Sequence, residues 1–193
     1  MMEKECIMDK PIKILGFAGS LRKDSYNKAL LHAAMKLIPK KAKLEIFDLE
    51  GIPLFNQDLE DRMPQKVKGF KAKIRLADAL LIVTPEYNYS VPGVLKNAID
   101  WASRPFGDNS FDGKPVAIMS ASPGIVGGLR AQYHLRQILV SLNMHAINRP
   151  EVCVMSADEK IDEKDRLIDE ETKKRIRQLL KSLIDWTERL SKE

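Results

Sequence analysis

The segment Gly19-Ser20-Leu21-Arg22-Lys23-Asp24-Ser25-Tyr26-Asn27 gathers the donor types that grip an anion. Gly19 permits a tight turn, Ser20 and Ser25 offer hydroxyls, Asn27 an amide and Arg22 a planar cationic fork. If the segment leads from a strand into a helix, the helix start adds unpaired backbone N–H groups. A phosphate dianion suits such a set. Each charge-assisted donor contributes about 1.5–3 kcal/mol, so four of them approach the roughly 8 kcal/mol of micromolar binding before ordering costs. The same residues also describe a capped helix start beside a flexible arginine, because Ser and Asp cap helices in many proteins. The spacing is not that of a Walker A loop or of a GxGxxG dinucleotide fingerprint, so ATP hydrolysis and ordinary Rossmann NAD binding recede.

A second cluster reads Thr84-Pro85-Glu86-Tyr87-Asn88-Tyr89-Ser90-Val91-Pro92-Gly93. Pro85 and Pro92 stiffen it, Tyr87 and Tyr89 present aromatic faces, and Asn88 with nearby N–H groups can bond the edge of a heterocycle. A flat ligand with a polar rim fits; a proline-bounded surface turn whose tyrosines pack on a neighbour is the alternative. A third cluster, Ser120-Ala121-Ser122-Pro123-Gly124-Ile125-Val126-Gly127-Gly128, allows close backbone approach through its glycines. Such Gly-rich turns also arise for purely conformational reasons.

Conventional catalytic sets are missing. No Gly-x-Ser-x-Gly elbow occurs, no HExxH or paired-histidine spacing suggests a metal, and His32, His134 and His145 fall in or near regular elements, where they read as structural. Without a nucleophile, metal or acid–base pair, reactivity must come from a cofactor. An anion cradle beside an aromatic platform points to FMN.

These clusters must be held together by regular elements. Ile12–Phe17 reads as a buried strand; Tyr26, Leu30, Ala33, Ala34 and Leu37 recur at helical spacing, with Asp24 or Ser25 as cap and Pro39 as stop. The alternation continues with a strand at 44–47, a helix carrying Val67, Phe70, Ile74 and Ala77, a strand at 79–84 and a helix carrying Leu95, Ala98, Ile99 and Ala102. A strand at 115–120, a helix carrying Leu135, Ile138, Leu139 and Leu142, a fifth strand within 144–147, a short apolar stretch at 152–155 and a last helix from Ile176 to Leu190 complete the chain. Strands apolar on both faces and alternating with helices predict a three-layer α/β domain with a five-stranded parallel sheet. In such sheets ligands bind beyond the carboxyl ends of the strands, where the loops after strands one, three and four carry the three clusters. The longest connection, 48–64, is expected to be a surface loop bordering that site.

The 193 residues suit one domain, with residues 1–10 as a flexible N-terminal extension. No run approaches the roughly 18 apolar residues of a membrane span, and the N-terminus lacks a secretory apolar segment, so a cytoplasmic address and no membrane partner are expected. Cys6 and Cys153 lie too far apart for a metal motif and read as two reduced thiols. The net charge of +5 raises the question of nucleic acid, yet the bases are interleaved with acids and lack stacking aromatics. Nucleic-acid binding is therefore not expected.

With these residues in view, the chain resembles the NADPH-dependent FMN reductases of flavodoxin-like fold, in particular their chromate and quinone reductase branch. Gly19-Ser20-Leu21-Arg22 with Ser25 and Asn27 resembles that family's phosphate loop, and Thr84 to Gly93 continuing through Leu95-Lys96-Asn97-Ala98-Ile99-Asp100-Trp101 resembles its flavin signature. The resemblance runs from about Ile12 to Val154, including Ser120 to Gly128 and Arg130 to Leu139. It implies a sheet of order 2-1-3-4-5. It further implies that Ser20, Arg22, Ser25 and Asn27 hold the FMN phosphate, that Pro85, Glu86, Tyr87 and Asn88 meet the ribityl chain and ring through mainly backbone contacts, and that Ser120, Ser122 and Gly124 approach the ring's polar edge. Glu86 is not expected to be a general base. The implied cycle is ping-pong: NADPH or NADH passes hydride to flavin N5 and leaves, after which quinones, azo compounds, ferric chelates or chromate take the electrons. A homodimer or homotetramer is implied, with Trp101 and Tyr133 as candidates for the interface or for the monomer core. Gly107 to Phe111 departs from the family pattern and is a candidate modifier of substrate access. The competing readings are a flavodoxin-like electron carrier, disfavoured by the positive charge, and a flavin-binding sensor without turnover.

Overall fold

The computed structural model describes residues 10–192 of the chain; Cys6 and most of the expected N-terminal extension lie outside them. The chain runs β1 (Ile12–Ala18), α1 (Tyr26–Leu37), β2 (Ala42–Ile46), a 3-10 turn (Gln57–Arg62), α2 (Gln65–Leu76), β3 (Ala79–Val83), α3 (Gly93–Ala102), β4 (Pro115–Ala121), α4 (Leu129–Ser141), β5 (His145–Ala146), β6 (Val152–Val154), α5 (Ala157–Lys160) and α6 (Glu170–Leu190). All sheet pairings are parallel, and the strand order is β2-β1-β3-β4-β5. The parallel α/β reading and the 2-1-3-4-5 order are thus both borne out.

Alternation along the strands builds two cores. Ile14, Leu81, Val83, Ala117 and Met119 point to one face, where Leu30 and Ala34 of α1 and Ile176, Leu180 and Leu183 of α6 cover them. Leu15, Phe17, Leu80, Ile82 and Ile118 point to the other, under Phe70 and Ile74 of α2, Leu95 of α3 and Leu135 and Leu139 of α4. Every residue of β3 is buried, as a central parallel strand with helices on both sides requires.

The fifth strand departs from expectation. Ala146 pairs with Val116 and Val152 with Met119, so β4 advances three residues while its neighbour advances six. The surplus residues loop out around Pro150, which has no N–H to give the ladder. The apolar stretch after Pro150 is therefore the upper half of the fifth strand position. It also steers the third cluster: Ser122 N–H donates to Val154 O at 3.0 Å, and Ala157 N–H to Ser122 O at 3.1 Å.

The 48–64 connection differs as well. Asn97 on α3 accepts the Phe55 N–H at 2.7 Å and donates to Pro53 O at 2.8 Å, and Trp101 Nε1, one turn later, donates to the same carbonyl at 2.8 Å. The loop is stapled to α3 instead of bordering the ligand cleft. Trp101 is fully buried, which assigns it to the core; Tyr133 is half exposed and donates to Glu151 Oε1 at 3.3 Å.

Between α5 and α6 the chain folds back on itself through an Ile161–Leu167 bridge. Asp162 organises this turn by accepting from Arg166 Nε at 2.8 Å, from Arg166 N–H at 2.9 Å and from Lys164 N–H at 3.0 Å. The Arg166 side chain and these N–H groups hold its carboxyl down at about 2. An unfolded aspartate titrates near 3.9, so this group stabilises the fold fully above about pH 4, and the contribution is lost as pH falls through about 2. Amide exchange across 161–167 should accordingly be faster in Asp162→Asn than in the parent near neutral pH, with the difference closing towards pH 2. A difference unchanged across that range would refute the assignment.

Candidate functional site

At the carboxyl ends of β1, β3 and β4 the three clusters enclose a cleft of about 380 Å³. Ser20, Arg22, Ser25 and Asn27 line it from the first loop, Pro85, Glu86 and Tyr87 from the second, and Ser122 with Pro123 from the third. Asn88, Ser120 and Gly124 do not line it, nor do the three histidines. This is the topological switch point, where β1 sends its helix to one face and β3 to the other.

The first loop leaves a helix start open. Ser25 takes extended backbone angles at the N-cap of α1, yet its side chain makes no capping bond, and no acid occupies the first turn. Ser20 and Ser25 are each 3% exposed. By contrast α6 is closed by Asp169, which accepts the Thr172 N–H at 2.8 Å. An uncapped helix start bordered by two hydroxyls and a guanidinium is a site for an anion. Arg22 sits at the rim, its guanidinium 5.0 Å from the centre of the Tyr26 ring and donating to the Asp24 carbonyl. Gly19 allows this loop to approach α3: a Cβ there would meet Leu95 Cβ at 3.0 Å and Pro92 Cγ at 3.1 Å.

Asn27 lines the cleft but spends its amide elsewhere. Its Nδ2 donates to Ala121 O at 3.0 Å and its Oδ1 accepts Ala121 N–H at 2.9 Å, so α1 is locked to the end of β4 and only one N–H remains free. Ser120 is fully buried behind the cleft. It donates to Gly127 O at 2.6 Å and accepts from Gln132 Nε2 at 2.8 Å. Gln132 also donates to Val152 O at 2.9 Å, tying α4 to the split strand, and Cys153 lies beside it with its thiol pushed up by burial. Gly128 has φ +84°, and a Cβ there would come within 2.7 Å of Ser120 Cβ, so the third loop can close only with glycine at that point. Ser122 lines the cleft, and its Oγ accepts the Gly124 N–H at 3.0 Å.

The second loop is a two-residue hairpin. Tyr87 and Ser90 exchange backbone bonds of 3.1 and 3.0 Å around Asn88 and Tyr89, both at positive φ (49° and 66°). Asn tolerates that conformation; Tyr does so at a cost, which neighbouring contacts offset. Arg130 of α4 lies 3.9 Å from the centre of the Tyr89 ring, and His134, one turn on, meets Ser90 Oγ at 2.9 Å. Glu86 accepts from Arg130 Nη1 at 2.7 Å and from the Arg130 and Ala131 N–H groups at 3.0 and 3.3 Å, and this bond raises the affinity of Arg130 for its proton. Both Glu86 oxygens are thus engaged.

The donor set fits FMN. A phosphate monoester matches the open α1 start with Ser20, Ser25 and Arg22, and a flat ring system matches walls made by Pro85, Tyr87, Ser122 and Pro123. None of the lining side chains is a redox group, so the bound cofactor would supply the electron-transfer chemistry.

A family model described as NADPH-dependent FMN reductase matches residues 12–159. An NAD(P)H-dependent FMN reductase of Pseudomonas aeruginosa is 51% identical over 95% of this chain and 99% of its own length. A 2-hydroxy-1,4-benzoquinone reductase of a Burkholderia species is 42% identical over 91% and 96%, respectively. Among solved structures, the flavoenzyme NAD(P)H:acceptor oxidoreductase FerB of Paracoccus denitrificans superposes with a TM-score of 0.85 at 36% identity, covering 92% of this chain and 98% of that one. The matched span contains all three loops of the cleft, and a chain that agrees with these enzymes in fold, sequence and length belongs to the NADPH-dependent FMN reductase family.

Proposed function

We propose that the cleft binds FMN with its phosphate on the α1 start and its ring against the Pro85–Tyr87 hairpin, and that the protein uses NADPH or NADH to reduce quinones. The observation that carries this reading is the uncapped α1 start at the cleft, flanked by buried Ser20 and Ser25. Ser20 and Ser25 donate to the phosphate, and Arg22 swings from the Asp24 carbonyl to neutralise it. Pro85 and Tyr87 supply a rigid surface that orients the ring at low entropic cost. FMN, when bound, accepts two electrons from the nicotinamide and delivers them to the acceptor. Quinones lead the proposed acceptors because relatives at 40–47% identity carry quinone reductase names; azo compounds, ferric chelates and chromate follow as opportunistic oxidants.

Half-exposed Tyr87 and exposed Tyr89, Ile125 and Leu21 around the cleft support self-association as a homodimer or homotetramer, which light scattering reads directly. Among the described residues no helix is long and apolar enough to cross a membrane, and a cytoplasmic setting accords with Cys153 as a free thiol.

The decisive assay mixes FMN-loaded protein with NADPH anaerobically and then adds a quinone. Flavin absorbance should bleach and then recover; an absence of bleaching would identify a carrier or sensor instead. Arg22→Ala is expected to weaken FMN binding by tenfold to a hundredfold, the effect of losing one charge-assisted partner, as read by flavin fluorescence titration. Unchanged affinity would remove Arg22 from the phosphate site.

A further inference from the structure

The α1 start lines the cleft, the α4 start is joined to it through Glu86, and only the first is open. α1 is uncapped, as described above. α4 has Gly128 at its N-cap, a residue without a side chain to satisfy the first N–H groups, and no acid in its own first turn. Its cap arrives from a different part of the sequence. The Glu86 carboxylate, 12% accessible, takes the Arg130 and Ala131 N–H groups on one oxygen and the Arg130 guanidinium on the other. Glu86 also lines the cleft itself, so this charge stands between the α4 start and any ligand.

An uncapped helix start behaves as roughly half a positive charge. Two open starts beside one cleft would offer an anionic cofactor two competing addresses for its phosphate. We propose that Glu86 is a positioning residue that serves as a built-in anion: it closes the α4 start, leaves α1 as the single address for the phosphate, and so fixes which way round the cofactor lies. This rests on the FMN reading and adds to it the determinant of orientation. The same carboxylate anchors the 85–90 hairpin to α4, in concert with the Arg130–Tyr89 stack, so closing the helix and holding the ring platform are one interaction. Glu86 is thereby bound from two sides, by N–H groups and by a guanidinium, and acts through α4 and the hairpin without taking part in proton transfer.

The test uses the full chain as parent, Glu86→Ala and Glu86→Gln. FMN and riboflavin affinities are measured by fluorescence titration, and the visible circular dichroism of bound flavin reports its orientation. For Glu86→Ala, the loosened ring platform should weaken riboflavin binding about tenfold to a hundredfold, FMN should lose less because the opened α4 start gives its phosphate a second address, so preference for FMN over riboflavin should rise, and the dichroism should change. Acetate, which can occupy the vacated carboxylate position, should restore affinity and spectrum, whereas chloride at equal ionic strength should not. Glu86→Gln keeps an oxygen acceptor without the charge and should fall between the two, about threefold to tenfold weaker than the parent. If Glu86→Ala does not fold, the glutamine variant decides alone. Parental affinity and spectrum in the folded variants, or a folded Glu86→Ala that acetate leaves unrescued, would overturn the proposal. Failure of the parent itself to bind FMN would instead overturn the cofactor reading.

Discussion

Replacing Ser25 with aspartate is expected to move stability and cofactor binding in opposite directions. Serine and aspartate are comparable N-caps, and an aspartate at the α1 start gains about 0.3–1 kcal/mol from the helix dipole. The cofactor-free protein should therefore melt at the same temperature or slightly higher. FMN binding loses the Ser25 hydroxyl and meets a carboxylate already seated on the N–H groups its phosphate needs, a combined cost of about 3–4 kcal/mol or roughly 100- to 1000-fold in affinity. Ser25→Asn, which caps without charge, should lose only about tenfold. Thermal melts alongside FMN titration check both halves. If Ser25→Asp binds FMN as well as the parent, the phosphate does not sit on α1; if it unfolds, the open helix start has been misread.

Lys71→Met is expected to produce a large loss of stability although the side chain is charged and remote from the cleft. Lys71 is 4% accessible in its side chain, and its Nζ donates to Asp108 O at 2.9 Å, to the Arg104 carbonyl and to Ala102 O at 3.4 Å, with Asp108 Oδ2 at 3.1 Å. Burial lowers its affinity for the proton, and Asp108, which Arg75 also engages, offsets part of that cost. The ammonium thus terminates α3 and pins the following 103–114 loop, in which Phe106 is fully exposed while Phe111 is buried. Methionine preserves the volume but orphans these carbonyls and one charge partner, which should cost about 2–4 kcal/mol. A fall in urea midpoint at unchanged slope measures it. FMN affinity should stay within about twofold of the parent, since nothing Lys71 holds lines the cleft, and a midpoint unchanged from the parent would contradict the buried role.

Some of this was readable along the chain and some was not, for identifiable reasons. The strands 12–18, 79–83 and 115–121 announce themselves because burial on both faces demands continuous apolar runs, and the polar clusters that follow each must then share one edge of a parallel sheet. Helix α6 shows as clearly, from Ile176, Leu179, Leu180 and Leu183 on one face. Lys71 left a faint signal: it occupies a position on the apolar stripe of Val67, Phe70 and Ile74 that helical period reserves for the core. Gly128 left another, since a helix beginning after glycine must borrow its cap. Neither signal names the partner, because Asp108 and Glu86 are distant in sequence and come near only through the crossovers.

The order of residues by itself determined the α/β alternation, the three loops at one sheet edge and the residue types suited to a phosphate and a flat ring, because period and turn chemistry are local properties. Only the tertiary structure decided which of those polar groups remain free. Asn27 and Ser120 are consumed by Ala121, Gly127 and Gln132, Glu86 by the start of α4, while Ser25 makes no capping bond and Ser20 and Arg22, which bond only within their own loop, still line the cleft. A hydrogen-bonding group does one job at a time, and which job it does depends on what the fold brings within about 3 Å of it.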